Sequence, residues 1–150
     1  MKEIIASREE MELFARRIIG GLVPSGKATI IGLEGDLGAG KTTFVQGAAK
    51  ALGLTEIVQS PTFVIMKKYE LHFGPWKQMI HIDCYRLDQP EDILALGWEL
   101  WAAHPQTLIF VEWPERVRPL LEGYPRIFFR STDEHTRQAE FEKGEILFKN

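Results

Sequence analysis

At 150 residues, 45% hydrophobic and 26% charged, the chain has the size and balance of one ordinary soluble globular domain, not of a fibrous, disordered or membrane-embedded protein. No apolar run approaches the roughly 20 residues that span a bilayer, and a lone cysteine, Cys84, excludes an intrachain disulfide and points to a reducing, cytoplasmic setting. A net charge of −3 with no basic stripe argues against a direct grip on nucleic acid, so any role in RNA chemistry is expected to run through a partner.

In chain order, Met1 to Ser7 run straight into charge and lack the apolar core of a secretory signal. Residues 2–6 suit a short first strand. Ser7 with Glu10 forms a capping-box pattern that opens a helix, whose apolar face is Met11, Phe14, Ala15, Ile18 and Leu22. Gly20-Gly21 weakens its end, and Pro24-Ser25-Gly26 reads as a turn.

Lys27 to Leu33 is a β-rich apolar run, and it leads into Gly35-Asp36-Leu37-Gly38-Ala39-Gly40-Lys41-Thr42. This is G-x-x-x-x-G-K-T, the Walker A loop. Glycines let backbone N–H groups close on anionic oxygens in a nest. Lys41 brings an ammonium to β- and γ-phosphates, and the Thr42 hydroxyl is placed to ligate Mg²⁺. Phe44, Val45, Ala48, Ala49 and Leu52 then recur at helical spacing, with Gly53 placed to end that helix. The helix aims its positive end at the same site. Strand, loop and helix together mark a nucleotide-binding unit.

Beyond it, Ile57 to Phe63 is expected to be non-helical, because Pro61 biases Ser60 toward extended backbone. Val64–Leu71 and Lys77–Tyr85 are strand candidates around a turn at Gly74-Pro75. Residues 90–103 are expected to form a helix ahead of Pro105. Thr107-Leu108-Ile109-Phe110-Val111 has the unbroken apolarity of a buried parallel strand, stopped by Pro114. A helix over residues 115–122 is interrupted by Pro119. Ile127 with Phe129, Ala139 with Phe141, and Ile146 with Phe148 suggest antiparallel strands. The expected architecture over residues 1–150 is a single α/β, P-loop NTPase-like domain, a mixed sheet with a parallel core and antiparallel edge strands, flanked by helices.

Nucleotide hydrolysis on such a loop also needs an acid near the metal. Asp83 and Glu112 each end an apolar strand, where open α/β sheets place ligands. Thr62 is a candidate switch residue sensing the γ-phosphate. Trp113 directly follows Glu112 and has four readings: stacking on a base, gating the site, contacting a partner, or core packing. Arg86, and less directly Arg116 and Arg118, are candidate arginine fingers that fit surface ion pairs equally well. Strand alternation sets His81 out of phase with Asp83 on this reading, leaving it a packed or hydrogen-bonded side chain. Trp76, Trp98 and Trp101 are assigned to packing.

Taken together, Gly35 to Thr43, Ser60-Pro61-Thr62-Phe63, His81-Ile82-Asp83-Cys84-Tyr85-Arg86-Leu87 and Glu112-Trp113-Pro114-Glu115, in that order, strongly resemble the TsaE (formerly YjeE) family of bacterial P-loop ATPases. That resemblance covers nearly the whole chain. It implies a place in forming the N6-threonylcarbamoyl group on an adenosine of tRNAs that read codons starting with A. It further implies association with the TsaD and TsaB pair, tRNA contact only through those partners, and slow hydrolysis of ATP to ADP supporting turnover of the complex. By resemblance, Thr42, Asp83 and Glu112 surround Mg²⁺, Ser60 to Phe63 form a switch-like loop, and Trp113 matches the tryptophan after the acid. Cys84 and Gln46-Gly47 depart from the residues common in the family, away from the phosphate loop.

The resulting expectation is an Mg²⁺-dependent ATPase. The nucleotide lies on Gly35, Asp36, Leu37, Gly38, Ala39, Gly40, Lys41, Thr42, Thr43 and Trp113. Lys41, Asp83, Glu112 and Thr62 serve catalysis, with the residue that orients the attacking water left open among the last three. The alternatives are a small-molecule kinase and a nucleotide-sensing adaptor. A GTPase is disfavoured because no Asn-Lys-x-Asp base-reading signature is present.

Overall fold

A computed structural model describes residues 1–56, 58–59, 65–121, 123–146 and 148–149. Its strands are β1 (Lys2–Ile5), β2 (Thr29–Glu34), β3 (Met66–Glu70), β4 (Gln78–Asp83), β5 (Thr107–Glu112), β6 (Arg126–Ser131) and β7 (Arg137–Glu142). Its α-helices are α1 (Arg8–Gly21), α2 (Lys41–Ala51) and α3 (Trp98–Ala103). The strands form one sheet in the order β1-β7-β6-β2-β5-β4-β3. β6, β2, β5 and β4 are parallel, whereas β1, β7 and β3 join antiparallel at the edges.

Alternation along the central strands divides the core between the two faces. Ile31, Leu33, Met79, Leu108 and Phe110 meet α1 and α2. Ile30, Ile80, Ile82, Ile109 and Val111 meet the opposite layer, which includes Ile93, Trp98 and Val117. Burial on both faces is why β2, β4 and β5 read as continuous apolar runs.

Helix α1 starts where the sequence indicates. The Ser7 hydroxyl accepts the Glu10 N–H at 3.1 Å, and the Glu10 carboxylate accepts the Ala6 N–H at 2.6 Å. The second bond reaches one residue further back than in the standard box. Helix α2 lies close against α1 because Gly47 has no side chain: a Cβ there would stand 3.1 Å from the Ala15 Cβ. One turn beyond Lys41, Phe44 packs its ring against Phe14, Phe110 and Phe129 at 5.7–5.8 Å between centroids. Each such pair contributes roughly 0.5–1.5 kcal/mol beyond area burial, so the helix that carries the loop is anchored to the sheet beside it.

Three expectations need correction. The single helix over 90–103 is instead a 3₁₀ segment, Pro90–Leu96, followed by α3. Gly97, at φ 82°, turns the chain between them. The helix expected over 115–122 is a 3₁₀ segment, Pro114–Leu120, broken at Val117 (φ −126°, ψ 24°) beside the ring of Pro119. The strand suggested by Ile146 and Phe148 reduces, among the described residues, to one antiparallel bridge between Leu22 and Phe148. Phe148 is held by ring packing on Phe141, 5.0 Å between centroids.

Candidate functional site

The register of the parallel strands creates the site. Leu33 of β2 and Asp83 of β4 both stand opposite Glu112 of β5, so the loop leaving β2 emerges beside two strand-end carboxylates. The Walker segment turns here through glycines at φ 146° (Gly35), 78° (Gly38) and 117° (Gly40), and Gly40 caps α2 without a side chain. A Cβ on Gly35 would lie 2.5 Å from the Phe129 carbonyl oxygen. Only glycine satisfies both the dihedral and the approach.

Lys41 is buried. Its ammonium donates to the Gly35 carbonyl and, at 3.1 Å, to the Asp36 carbonyl. It also lies over the Trp113 ring, 4.1 Å from the centroid. Burial lowers its pKa, and Glu112, Glu115, Asp83 and Asp36 oppose that shift. Thr42 donates its hydroxyl to Glu112, 3.2 Å from Oε2 and 3.4 Å from Oε1. Asp83 Oδ1 accepts the Tyr85 N–H at 2.9 Å. Burial nevertheless raises the Asp83 carboxyl pKa, with Glu112 adding to the shift and His81 and Lys41 opposing it.

Leu37, Gly38, Gly40, Lys41, Thr42, Thr43, Asp83, Glu112 and Trp113 line one cleft of about 370 Å³. Gly35 and Asp36 contribute the carbonyls that hold Lys41, and Ala39 is buried. Thr62, with Ser60, Pro61 and Phe63, lies outside the described residues. Trp113 sits in the left-handed region at φ 58°, with its ring 4.9 Å from that of Tyr85. It is half-buried, lining the cleft while packing against the core layer that includes Ile82, Val111 and Val117. Arg86 lines the same cleft. Arg116 lies 5.7 Å from the Tyr85 ring centroid, and Arg118 stands 3.9 Å from Glu34.

The reading of His81 as out of phase with Asp83 is wrong. Side chains two apart on a strand share a face, so His81 and Asp83 both point toward α2. His81 is fully buried, and its Nε2 is 2.5 Å from Glu112 Oε2. The expectation of a hydrogen-bonded histidine holds, with an unexpected partner.

Sequence reasoning missed Arg137. Its Nε donates to the Gly38 carbonyl at 3.2 Å, across 99 residues of chain. The β6–β7 turn that carries it is set by Asp133, whose carboxylate accepts the N–H groups of His135 and Thr136. With Met11, Gly40, Thr43 and His135, Arg137 lines a second cleft of about 390 Å³ on the other flank of the loop. A wider cleft of about 420 Å³ bordered by Glu34, Arg118 and Arg126 is less suited to an anion, because Glu34 already pairs with both arginines.

A mixed sheet with a parallel core, a glycine loop leaving its central strand and a Lys-Thr pair opening the next helix define a P-loop NTPase-like fold. A family model described as "Threonylcarbamoyl adenosine biosynthesis protein TsaE" matches residues 5–139. The chain belongs to the TsaE family of threonylcarbamoyl adenosine biosynthesis proteins. It is similar to the protein of Nostoc sp. named tRNA threonylcarbamoyladenosine biosynthesis protein TsaE, with 36% identity over 143 residues, 93% of this chain and 85% of that one. The same-named Rickettsia prowazekii protein is 33% identical over 144 residues, 95% and 94% of the two chains. The Bacillus subtilis protein of that name is 42% identical over 92 residues, 61% and 54%. Among solved structures, Bacillus subtilis YdiB superposes with a TM-score of 0.74 at 31% identity, covering 94% of this chain and 83% of that one. No helix among the described residues is long and apolar enough to cross a membrane.

Proposed function

We propose that this chain is an Mg²⁺-dependent ATPase that works with the TsaB–TsaD pair in tRNA threonylcarbamoyladenosine formation, hydrolysing ATP slowly to support turnover of that complex. The observation that carries the reading is the meeting of Lys41, Thr42, Asp83 and Glu112 around one glycine loop. The residues suit the ligand chemically. Loop amides and a buried ammonium match a polyphosphate. A hydroxyl within 3.2 Å of a carboxylate supplies the hard oxygen donors that Mg²⁺ takes alongside phosphate and water.

In this reading the Lys41 ammonium exchanges two carbonyl acceptors for charged phosphate oxygens, which bind an ammonium more strongly. Thr42 and Glu112 would hold the metal, whose charge would offset that developing on the phosphates. Asp83 stands beside Glu112 in strand register, its carboxyl pushed above the ordinary aspartate range by burial. In this reading it orients the attacking water. The cleft beyond Gly38 and Gly40, with Met11 on its wall and Arg137 at its rim, receives the nucleoside. Contacts to tRNA are left to the partners, in keeping with a net charge of −3.

Phosphate release measured with and without the TsaB–TsaD pair tests the proposal. Clear stimulation supports an ATPase coupled to that complex. No stimulation, under conditions where the proteins demonstrably bind, removes the coupling.

A further inference from the structure

We infer that His81 is a positioning residue for Glu112, holding its carboxylate in the orientation that addresses Thr42; this rests on reading Glu112 as the acid of the metal site. In register, Asp83 pairs with Glu112 and His81 with Phe110, so His81 stands one pleat below both acids on the face covered by α2. Its side chain is 0% exposed and that of Glu112 is 4% exposed, which leaves the carboxylate little water to orient it.

Glu112 Oε2 is shared between two donors, His81 Nε2 at 2.5 Å and Thr42 Oγ1 at 3.2 Å. The other ring nitrogen, Nδ1, is buried with no hydrogen-bond partner among the described residues. A buried N–H without an acceptor is rare and costly, whereas an unused lone pair is tolerated more readily. An N–H on Nε2 meets the Glu112 carboxylate, the one acceptor the ring reaches among the described residues. Acids that hold metals are themselves commonly fixed by such outer hydrogen bonds, and losing one typically costs 10–100-fold in metal affinity or activity. Thr42 alone does not fix the carboxylate, because its hydroxyl rotates; the imidazole ring, held in the sheet, does.

The test compares His81→Leu, which fills the space without a donor, with His81→Gln, which keeps an N–H donor. Calorimetry reads ATP binding across a magnesium titration. In His81→Leu the magnesium needed for half-maximal enhancement of binding rises about tenfold, while magnesium-free binding keeps its wild-type affinity. His81→Gln restores most of that loss. A folded His81→Leu with the wild-type magnesium requirement, or a folded His81→Gln as impaired as His81→Leu, overturns the inference. If the wild type itself shows no magnesium dependence, the metal reading of Glu112 falls with it. Should His81→Leu fail to fold, ¹⁵N NMR of labelled imidazole in the wild type decides. A protonated Nε2 whose resonance moves in Glu112→Gln supports the inference, and an unprotonated Nε2, or one unmoved in that variant, overturns it.

Discussion

The Lys41 ammonium lies over the indole of Trp113, 4.1 Å from the ring centroid, while donating to the carbonyls of Gly35 and Asp36. Trp113 holds that position at φ 58°, a conformation a bulky residue rarely adopts without surrounding support. Here the support comes from Tyr85, 4.9 Å away between centroids. A charged phosphate outcompetes a carbonyl for an ammonium, so nucleotide binding moves the cation relative to the indole. ATP therefore changes tryptophan emission in the wild type. The change disappears in Trp113→Phe although Trp76, Trp98 and Trp101 are untouched. An equal change in that variant would show that the signal arises elsewhere.

On the proposed mechanism, Asp83 and Glu112 separate by role. Asp83→Asn keeps the acceptor for the Tyr85 N–H but loses the base. Steady-state phosphate release falls at least about 10²-fold, while ATP affinity changes little. A large loss of affinity with turnover per bound nucleotide unchanged would instead assign Asp83 to binding.

Glu112→Gln, assayed at magnesium and ATP concentrations shown to saturate it, tests whether hydrolysis or mere occupancy matters. The variant loses metal-dependent hydrolysis and does not sustain repeated rounds of tRNA modification in a reconstituted system. Multiple turnovers at the wild-type rate with this variant would favour the nucleotide-sensing adaptor.

Gly35→Ala places a Cβ 2.5 Å from the Phe129 carbonyl at φ 146°. Such a backbone conflict costs on the order of 1–3 kcal/mol. The expected result is a lower urea midpoint together with loss of ATP binding. Wild-type stability and affinity would contradict the loop geometry described here.

Cys84 is fully buried, and its thiol pKa is pushed up from 9.0 to about 12, chiefly by burial, with Asp83 and Glu115 adding to the shift. Because the folded value lies above the unfolded one, the thiol's contribution to stability is fully present below pH 9.0 and is lost as pH rises through about 12. Native protein near pH 8 should resist thiol reagents and react only once denatured. Rapid labelling of the native protein would contradict the burial of this strand end.

How much of this was legible in the chain depended on how local the determinant was. The Ser7 cap, the Walker loop and the apolar runs of β2 and β5 are determined by neighbours within one turn or one strand, and they stand where the residues indicate. Gly97 lies within a helical pattern, where an isolated glycine is tolerated at a cost, and here its positive φ leaves a 3₁₀ segment before α3. The packing of His81 against Glu112 follows from strand register, which brings together side chains 31 residues apart. The reach of Arg137 to Gly38 depends on the fold of the β6–β7 turn. Neither register nor that reach can be read from a single stretch of sequence.

The most direct measurement is a calorimetric titration of Mg·ATP into the wild type and into Lys41→Ala, with folding of both checked by circular dichroism. The account predicts saturable one-to-one binding by the wild type and loss of tight binding by the folded variant. Retained wild-type affinity in Lys41→Ala would contradict it.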